Sequence, residues 1–253
     1  MFIIPMAGLS SRFFKAGYTK PKYQLDLNGE TVFSWSVRSF ERYFKTDKFV
    51  FIYRDVYETK NFLEEEIAKF IERKNHYYYL EEEMKKLGIS DYELVCLPEE
   101  TLGQADTVYQ GIVNINVEES IYIFNIDSRI IDFVKPEWAD ECDGYLEVFR
   151  GEGDHWSFAE PDGNTNKVLR TTEKERISEL CSDGLYYFKH KSIFESLFLD
   201  TKFKGNTTKN EYYIAPLYNE LISQGRNVFY DLIPADKILF CGTPDEYLAL
   251  LNK

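Results

Sequence analysis

Apolar residues recur along this chain with two periods. Residues 1–5 and 48–54 hold short unbroken apolar runs, 93–97 repeats the pattern, and 121–127 reads Ile-Tyr-Ile-Phe-Asn-Ile-Asp, an apolar strand that stops at a carboxylate. Runs of this length, rich in Ile, Val and Phe, predict strands buried on both faces. Between them the spacing becomes helical. Val32, Trp35, Ser36, Ser39 and Phe40 lie on one face of a predicted helix over 31–44. A charged helix is predicted over 57–86, with an interruption near 75–79, and another over 104–114. Strands alternating with helices predict an α/β fold with a mostly parallel sheet covered by helices.

The second half changes character. Short strands are predicted at 144–150, 156–160, 167–173 and 185–189, then helices near 192–199 and 212–224, then strands at 227–232 and 237–241. Thr243 followed by Pro244 predicts the N-cap and first position of a last helix over 243–251. No linker-like segment divides the chain. One domain is therefore expected over 1–253, with a regularly alternating front half to about 130 and a more mixed back half from about 131.

Composition narrows the class. With 44% hydrophobic and 29% charged residues the chain is that of an ordinary globular protein. Its apolar runs are far shorter than the ~18–20 residues of a membrane span, and residues 1–7 lead into a Gly/Ser loop instead of a cleavage site. A cytoplasmic protein without a membrane partner is the expectation. Four cysteines, at 96, 142, 181 and 241, form no Cys-x-x-Cys pattern and are expected as buried thiols. The net charge of −13 argues against a nucleic-acid partner, whose binding draws on Lys and Arg against phosphates. Residues 1–25, however, carry Arg12, Lys15, Lys20 and Lys22 and no acid. A small polyanion could bind there. Nothing in the pattern specifies an oligomeric state.

In open α/β sheets ligands bind beyond the carboxyl ends of the strands. The first such loop reads Pro5-Met6-Ala7-Gly8-Leu9-Ser10-Ser11-Arg12 and runs on to Lys20-Pro21-Lys22. Its small residues let backbone N–H groups approach phosphate oxygens, and Arg12 and Lys22 add full charges. Other phosphate and ester motifs fail on spacing: there is no G-x-x-x-x-G-K-[ST], no G-x-G-x-x-G, and Arg12 stands where an esterase elbow needs glycine. Asp127, at the end of the predicted strand, is a candidate Mg²⁺ ligand, since Mg²⁺ takes one or two protein carboxylates plus substrate phosphates. Taken alone it reads first as a helix cap or turn former, and its position beside the basic loop reverses that preference. Gly103, Gln104 and Ala105 could bring backbone close to a flat base, or start an ordinary helix.

These segments, with Asn125-Ile126-Asp127, Glu173-Lys174, Gly184-Leu185-Tyr186, Asn210-Glu211-Tyr212-Tyr213 and Gly242-Thr243-Pro244, resemble in order the nucleotidyltransferase family typified by sugar-phosphate nucleotidylyltransferases. The resemblance covers nearly the whole chain. It implies a single-domain Rossmann-like fold of the glycosyltransferase-A type, Mg²⁺, a nucleoside triphosphate and a small phosphorylated acceptor. It makes Ala7, Gly8, Leu9, Ser10 and Ser11 nucleotide contacts, Arg12 and Lys22 triphosphate ligands, and Asp127 a metal ligand. Gly103, Gln104 and Ala105 would lie near the base or ribose. Lys174 would meet the acceptor phosphate, with Gly184, Tyr186, Glu211 and Tyr212 on the acceptor wall.

Two positions depart from the pattern. Phe240 stands where many relatives place a second metal-binding Asp, which leaves Asp236 as the substitute candidate, and Ser10 and Ser11 replace part of the usual glycine-rich loop. Within the family the chain most resembles a capsule-associated cytidylyltransferase branch. That implies CTP and an amino-acid acyl phosphate, L-glutamine phosphate, giving CDP-L-glutamine. The expected reaction is in-line attack of an acceptor phosphate oxygen on the α-phosphorus with release of pyrophosphate. A sugar 1-phosphate as acceptor, a nucleotide-sugar-dependent glycosyltransferase and a noncatalytic nucleotide sensor are the alternatives.

Overall fold

The computed structural model describes residues 1–77 and 89–252. Its elements run β1 (Phe2–Pro5), α1 (Ser11–Lys15), β2 (Asp26–Leu27), β3 (Glu30–Thr31), α2 (Val32–Val37), β4 (Phe49–Tyr53), α3 (Thr59–Tyr77), β5 (Tyr92–Cys96), α4 (Gln104–Ile112), β6 (Ile121–Phe124), β7 (Ser128–Ile130), β8 (Gly144–Arg150), β9 (Ser157–Pro161), β10 (Val168–Glu173), β11 (Leu180–Phe188), α5 (Lys191–Lys204), α6 (Tyr218–Ser223), β12 (Val228–Leu232), β13 (Ile238–Phe240) and α7 (Pro244–Leu251). They form two compact units. One comprises Met1–Glu99, Ile126–Phe133 and Leu239–Lys253; the other comprises Glu100–Asn125 and Val134–Ile238.

In the first unit β1, β4 and β5 are parallel, with Phe2 opposite Phe49 and Phe49 opposite Tyr92. The apolar runs that predicted β1 and β4 are buried almost throughout, as strands covered on both faces must be. Phe2 stacks on Phe49 with ring centroids 5.0 Å apart and meets Phe40 at 4.5 Å. Asn28 and Gly29, both at positive φ, close the β2–β3 hairpin, as its right-handed twist requires. Thr31 then caps α2 by accepting from the Ser34 N–H at 3.1 Å. The buried Glu66 carboxylate accepts from the Thr31 and Ser34 hydroxyls and so ties α3 to α2. The helix expected over 31–44 is regular only to Val37 and continues as a 3-10 segment through Tyr43. Ser39 is part of the reason, because its hydroxyl donates to the Ser36 carbonyl at 2.6 Å in place of a regular turn. At the other end of the chain, Thr243 and Glu246 form a reciprocal capping box with Pro244 in the first turn of α7.

In the second unit β11 is the hub. It runs antiparallel to β6, β8 and β9, while β12 lies parallel to β8 and β10 antiparallel to β9. All nine residues of β11 are buried. The Tyr218 hydroxyl donates to the carbonyls of Tyr145 and Tyr187 at 2.7 and 2.9 Å, which anchors α6 on the sheet.

Four expectations change. The strand expected over 121–127 ends at Phe124, so Asp127 lies beyond it in a turn before β7. Residues 212–214 are not helical, because the Tyr212 backbone bonds instead to Leu102 and Ala105. Cys142, Cys181 and Cys241 are buried thiols, but Cys96 at the end of β5 is exposed. The charged helix is present as α3 to Tyr77, and residues 78–86 of that expectation lie outside the described residues.

Candidate functional site

The first unit gathers a cation and a carboxylate around the loop after β1. Met6 extends the strand pairing by donating to the Ile52 carbonyl at 2.8 Å. Ala7 is buried, Leu9 is half-buried, and Gly8 is exposed with open space where a Cβ would stand. Ser10 turns the chain in a left-handed conformation, φ 52°, and its Oγ accepts from the Lys22 N–H at 3.1 Å. That bond joins the loop to the segment carrying Lys22. The Lys22 ammonium then donates to Asp127 Oδ2 in a close ion pair, with the two side chains 23% and 21% exposed.

Gly242 explains how the backbone approaches this pair. A Cβ at Gly242 would lie 2.9 Å from Asp127 Oδ2 and 3.6 Å from the Glu246 carboxylate, too close for the first. The next bond is also backbone: Cys241 N–H donates to the Asp127 carbonyl at 2.7 Å. Burial, with Asp127 adding to it, pushes the Cys241 thiol up to about 12, so it stays protonated at neutral pH. Ser11 and Arg12 are exposed on α1, and the Arg12 guanidinium has no hydrogen bond or ion pair among the described residues. The structure thus brings Lys22, Ser10 and Asp127 together and leaves Arg12 facing solvent.

This donor set suits a hard cation that arrives with phosphate oxygens. Among the described residues no group of three or more His, Cys, Asp or Glu side chains forms a ready cage. Asp127 supplies one partly buried carboxylate, paired with Lys22, and a single carboxylate is the sparse protein ligation that Mg²⁺ takes in phosphate sites. Asp236 lies exposed on the 3-10 turn Ala235–Lys237 of the second unit.

The second unit carries the other expected residues. Gly103 precedes α4 at φ 107°, and a Cβ there would meet the Tyr212 backbone at 2.7 Å. The clamp is reciprocal: Tyr212 N–H donates to the Leu102 carbonyl at 2.7 Å, and Ala105 N–H donates to the Tyr212 carbonyl at 3.0 Å. Gln104 Nε2 donates to Asn125 Oδ1 at 2.5 Å, and Gly184 in β11 lies against the same Asn125 amide. Gly103, Gln104, Ala105, Gly184 and Tyr212 therefore cluster, although Tyr212 contributes backbone while its buried ring packs on Phe198. Glu211 is exposed, and its backbone pairs with Thr208.

Lys174 sits apart from that cluster, beside Glu173 at 3.3 Å and Tyr213 at 2.5 Å. Tyr186 is buried, and its hydroxyl lies 3.1 Å from Ser157 Oγ. Burial raises the Tyr186 phenol, so it remains a neutral hydroxyl. Sequence reasoning missed Ser157 and Tyr213. For Tyr213 a signal existed, because it closes the Asn210-Glu211-Tyr212-Tyr213 motif whose other members were singled out.

No protein-family model matches the chain, and no curated protein matches it. Solved structures do. The nucleoside-diphosphate-sugar pyrophosphorylase from Vibrio cholerae RC9 is 43% identical, superposes with a TM-score of 0.88, and is matched over 100% of both chains. At 13% identity the inositol-1-phosphate CTP transferase from T. maritima shares the fold with a TM-score of 0.69, over 100% of this chain and 94% of its own. A UTP-bound UGPase from Acinetobacter baumannii does so at 15% identity and 0.67, over 99% and 91%. The expected Rossmann-like mixed sheet flanked by helices is therefore the fold of this chain, with its parallel strands prominent in the first unit and its antiparallel ones around β11. Identity of 43% over the full length of both sequences carries more than shared architecture, and on it the chain belongs to the nucleoside-diphosphate-sugar pyrophosphorylase family of nucleotidyltransferases.

Proposed function

We propose that this chain transfers a nucleoside monophosphate from a nucleoside triphosphate to a small phosphorylated acceptor and releases pyrophosphate. CTP is the donor and L-glutamine phosphate the acceptor in this reading, which would place the product, CDP-L-glutamine, in capsule modification. The observation that carries the reaction class is the meeting of Lys22 with Asp127 beside the small-residue loop, 105 residues apart in sequence, in a chain of this family. CTP and glutamine phosphate rest on the resemblance of the motifs.

Asp127 would hold Mg²⁺, whose charge offsets that of the triphosphate oxygens. Lys22, paired with the same carboxylate, would bind the triphosphate, and Arg12, exposed and without a polar partner among the described residues, would swing onto phosphate when it arrives. The backbone of Ala7 and Gly8 can approach phosphate oxygens closely because little side chain intervenes. Gly103, Gln104 and Ala105 would lie along the base, and Lys174 would meet the acceptor phosphate. An acceptor phosphate is anionic near pH 7, so the reaction needs alignment and charge neutralisation more than a general base. His76, His155 and His190 are assigned no role.

The test is pyrophosphate release with Mg²⁺, each of the four nucleoside triphosphates, and L-glutamine phosphate or glucose 1-phosphate. Release with CTP and glutamine phosphate is expected, and Lys22→Ala should lower it about 10²–10³-fold at saturating substrate. Near-normal release by folded Lys22→Ala refutes the assignment of Lys22. A sugar 1-phosphate as acceptor is the second reading, favoured by the name of the Vibrio cholerae relative. Release with glucose 1-phosphate alone would select it. A glycosyltransferase would liberate nucleoside diphosphate instead, and a nucleotide sensor would liberate nothing.

A further inference from the structure

Lys174 is held by contacts within the chain. It follows β10 in a left-handed conformation, φ 56°, uncommon for a residue with a side chain. Its ammonium donates to Tyr213 Oη at 2.5 Å, lies 4.1 Å from the Tyr213 ring centroid and pairs with Glu173 Oε1 at 3.3 Å. The Glu173 side chain is only 6% exposed, and its other oxygen accepts from Ser157 Oγ at 2.5 Å. That hydroxyl in turn meets Tyr186 Oη at 3.1 Å. A polar relay therefore runs from the buried strand β11 out to the lysine, and both oxygens of Glu173 are engaged in it.

Tyr213 is itself placed by its neighbour. The Tyr212 backbone is bonded to Leu102 and Ala105, and the Tyr212 ring is packed on Phe198 with centroids 5.6 Å apart. Tyr213 follows directly on this anchored residue, and its side chain meets the Lys174 ammonium. A lysine side chain that wanders in the free protein must give up its rotamer freedom on binding phosphate; one already fixed gives up less.

We infer that Tyr213 is the positioning residue for acceptor binding: its hydroxyl and ring aim the Lys174 ammonium at the acceptor phosphate. This rests on the reading that Lys174 meets that phosphate. Tyr213→Phe removes the hydroxyl and keeps the ring. Losing one hydrogen bond to a charged group is expected to raise the KM for the acceptor about tenfold, with kcat and the KM for the triphosphate within about twofold. Tyr213→Leu, which also loses the ring, should raise it further.

A second measurement does not need turnover. In the full chain without substrate, acetic anhydride labelling of Lys174, read by peptide mass spectrometry against the exposed Lys60, should rise severalfold in Tyr213→Phe. Unchanged labelling overturns the inference, and so does an unchanged acceptor KM where the wild-type chain turns over. A wild-type chain that releases no pyrophosphate with any acceptor overturns the proposed reaction, and labelling then decides the setting of Lys174 independently.

Discussion

The Lys22–Asp127 pair makes a prediction that runs against the usual effect of deleting a binding residue. The Lys22 ammonium is seated on Asp127 Oδ2, and under the proposed function the same carboxylate holds the divalent cation. Replacing it, as Lys22→Met, leaves Asp127 Oδ2 open, so a bare cation should bind more tightly even though the triphosphate binds less well. The size follows from the setting of the pair. Two unit charges about 4 Å apart interact by about 4 kcal/mol at an effective dielectric of 20, whereas fully exposed pairs contribute only about 0.2–1 kcal/mol. Side chains 23% and 21% exposed lie between those limits. A net ~1–2 kcal/mol corresponds to roughly 5–30-fold in cation affinity. Electron paramagnetic resonance titration with Mn²⁺ in the absence of nucleotide measures it directly, with Asp127→Asn as the variant that should lose the site. Equal or weaker Mn²⁺ binding by folded Lys22→Met would refute the reasoning.

Two further predictions concern stability. Glu147 in β8 sits between Asp183 of β11 and Asp231 of β12, and burial above all raises its carboxyl well above the ordinary range; burial likewise pushes Asp183 up to about 6, partly offset by Glu147. The folded chain then holds protons that the unfolded chain releases from about pH 4, so stability present below that pH is lost as pH rises through about 6 and beyond. The loss over that window belongs to the Glu147–Asp183 pair as a unit. Glu147→Gln, which cannot ionise, should flatten the decline of Tm between pH 5 and 8; an unaltered slope would exclude this cluster as its source. Gly103→Ala forces a Cβ into the Tyr212 backbone at φ 107°, and urea unfolding should show a loss of about 1–3 kcal/mol. A loss below 0.5 kcal/mol would mean the clamp yields easily.

Much of the framework was legible where the chain is locally consistent. The apolar runs at β1 and β4 and the Thr243-Pro244 cap are signals that need no distant partner, and the structure has each of them. Other elements depend on contacts that no window contains. β11 begins at Leu180, earlier than its apolar run suggests, because Ser182, Asp183 and Gly184 interrupt the pattern while their polar groups find partners within the strand, Asp183 Oδ1 accepting from Leu185 N–H at 2.9 Å. Residues 212–214 read as helical until Leu102 and Ala105, more than 100 positions earlier, claim the Tyr212 backbone. The same holds for the site. Lys22 and Asp127 each carried a local clue, but their contact spans 105 residues, and motif order rather than periodicity linked them. Asp236, named as the substitute for the carboxylate missing at Phe240, lies on an exposed turn, a placement that no local pattern in the sequence gives.

The adjacency of Tyr212 and Tyr213 carries a last consequence. One residue grips the turn after Leu102 and the next grips Lys174, so a single planar peptide couples the two grips. Insertion or loss of one residue at this point would change the one-residue spacing that lets both grips be held at once. Natural variation in this segment is therefore expected to proceed by substitution at constant length, and lengthening is expected instead in the 205–210 loop just upstream, where the chain can take up slack without altering the spacing of the two tyrosines.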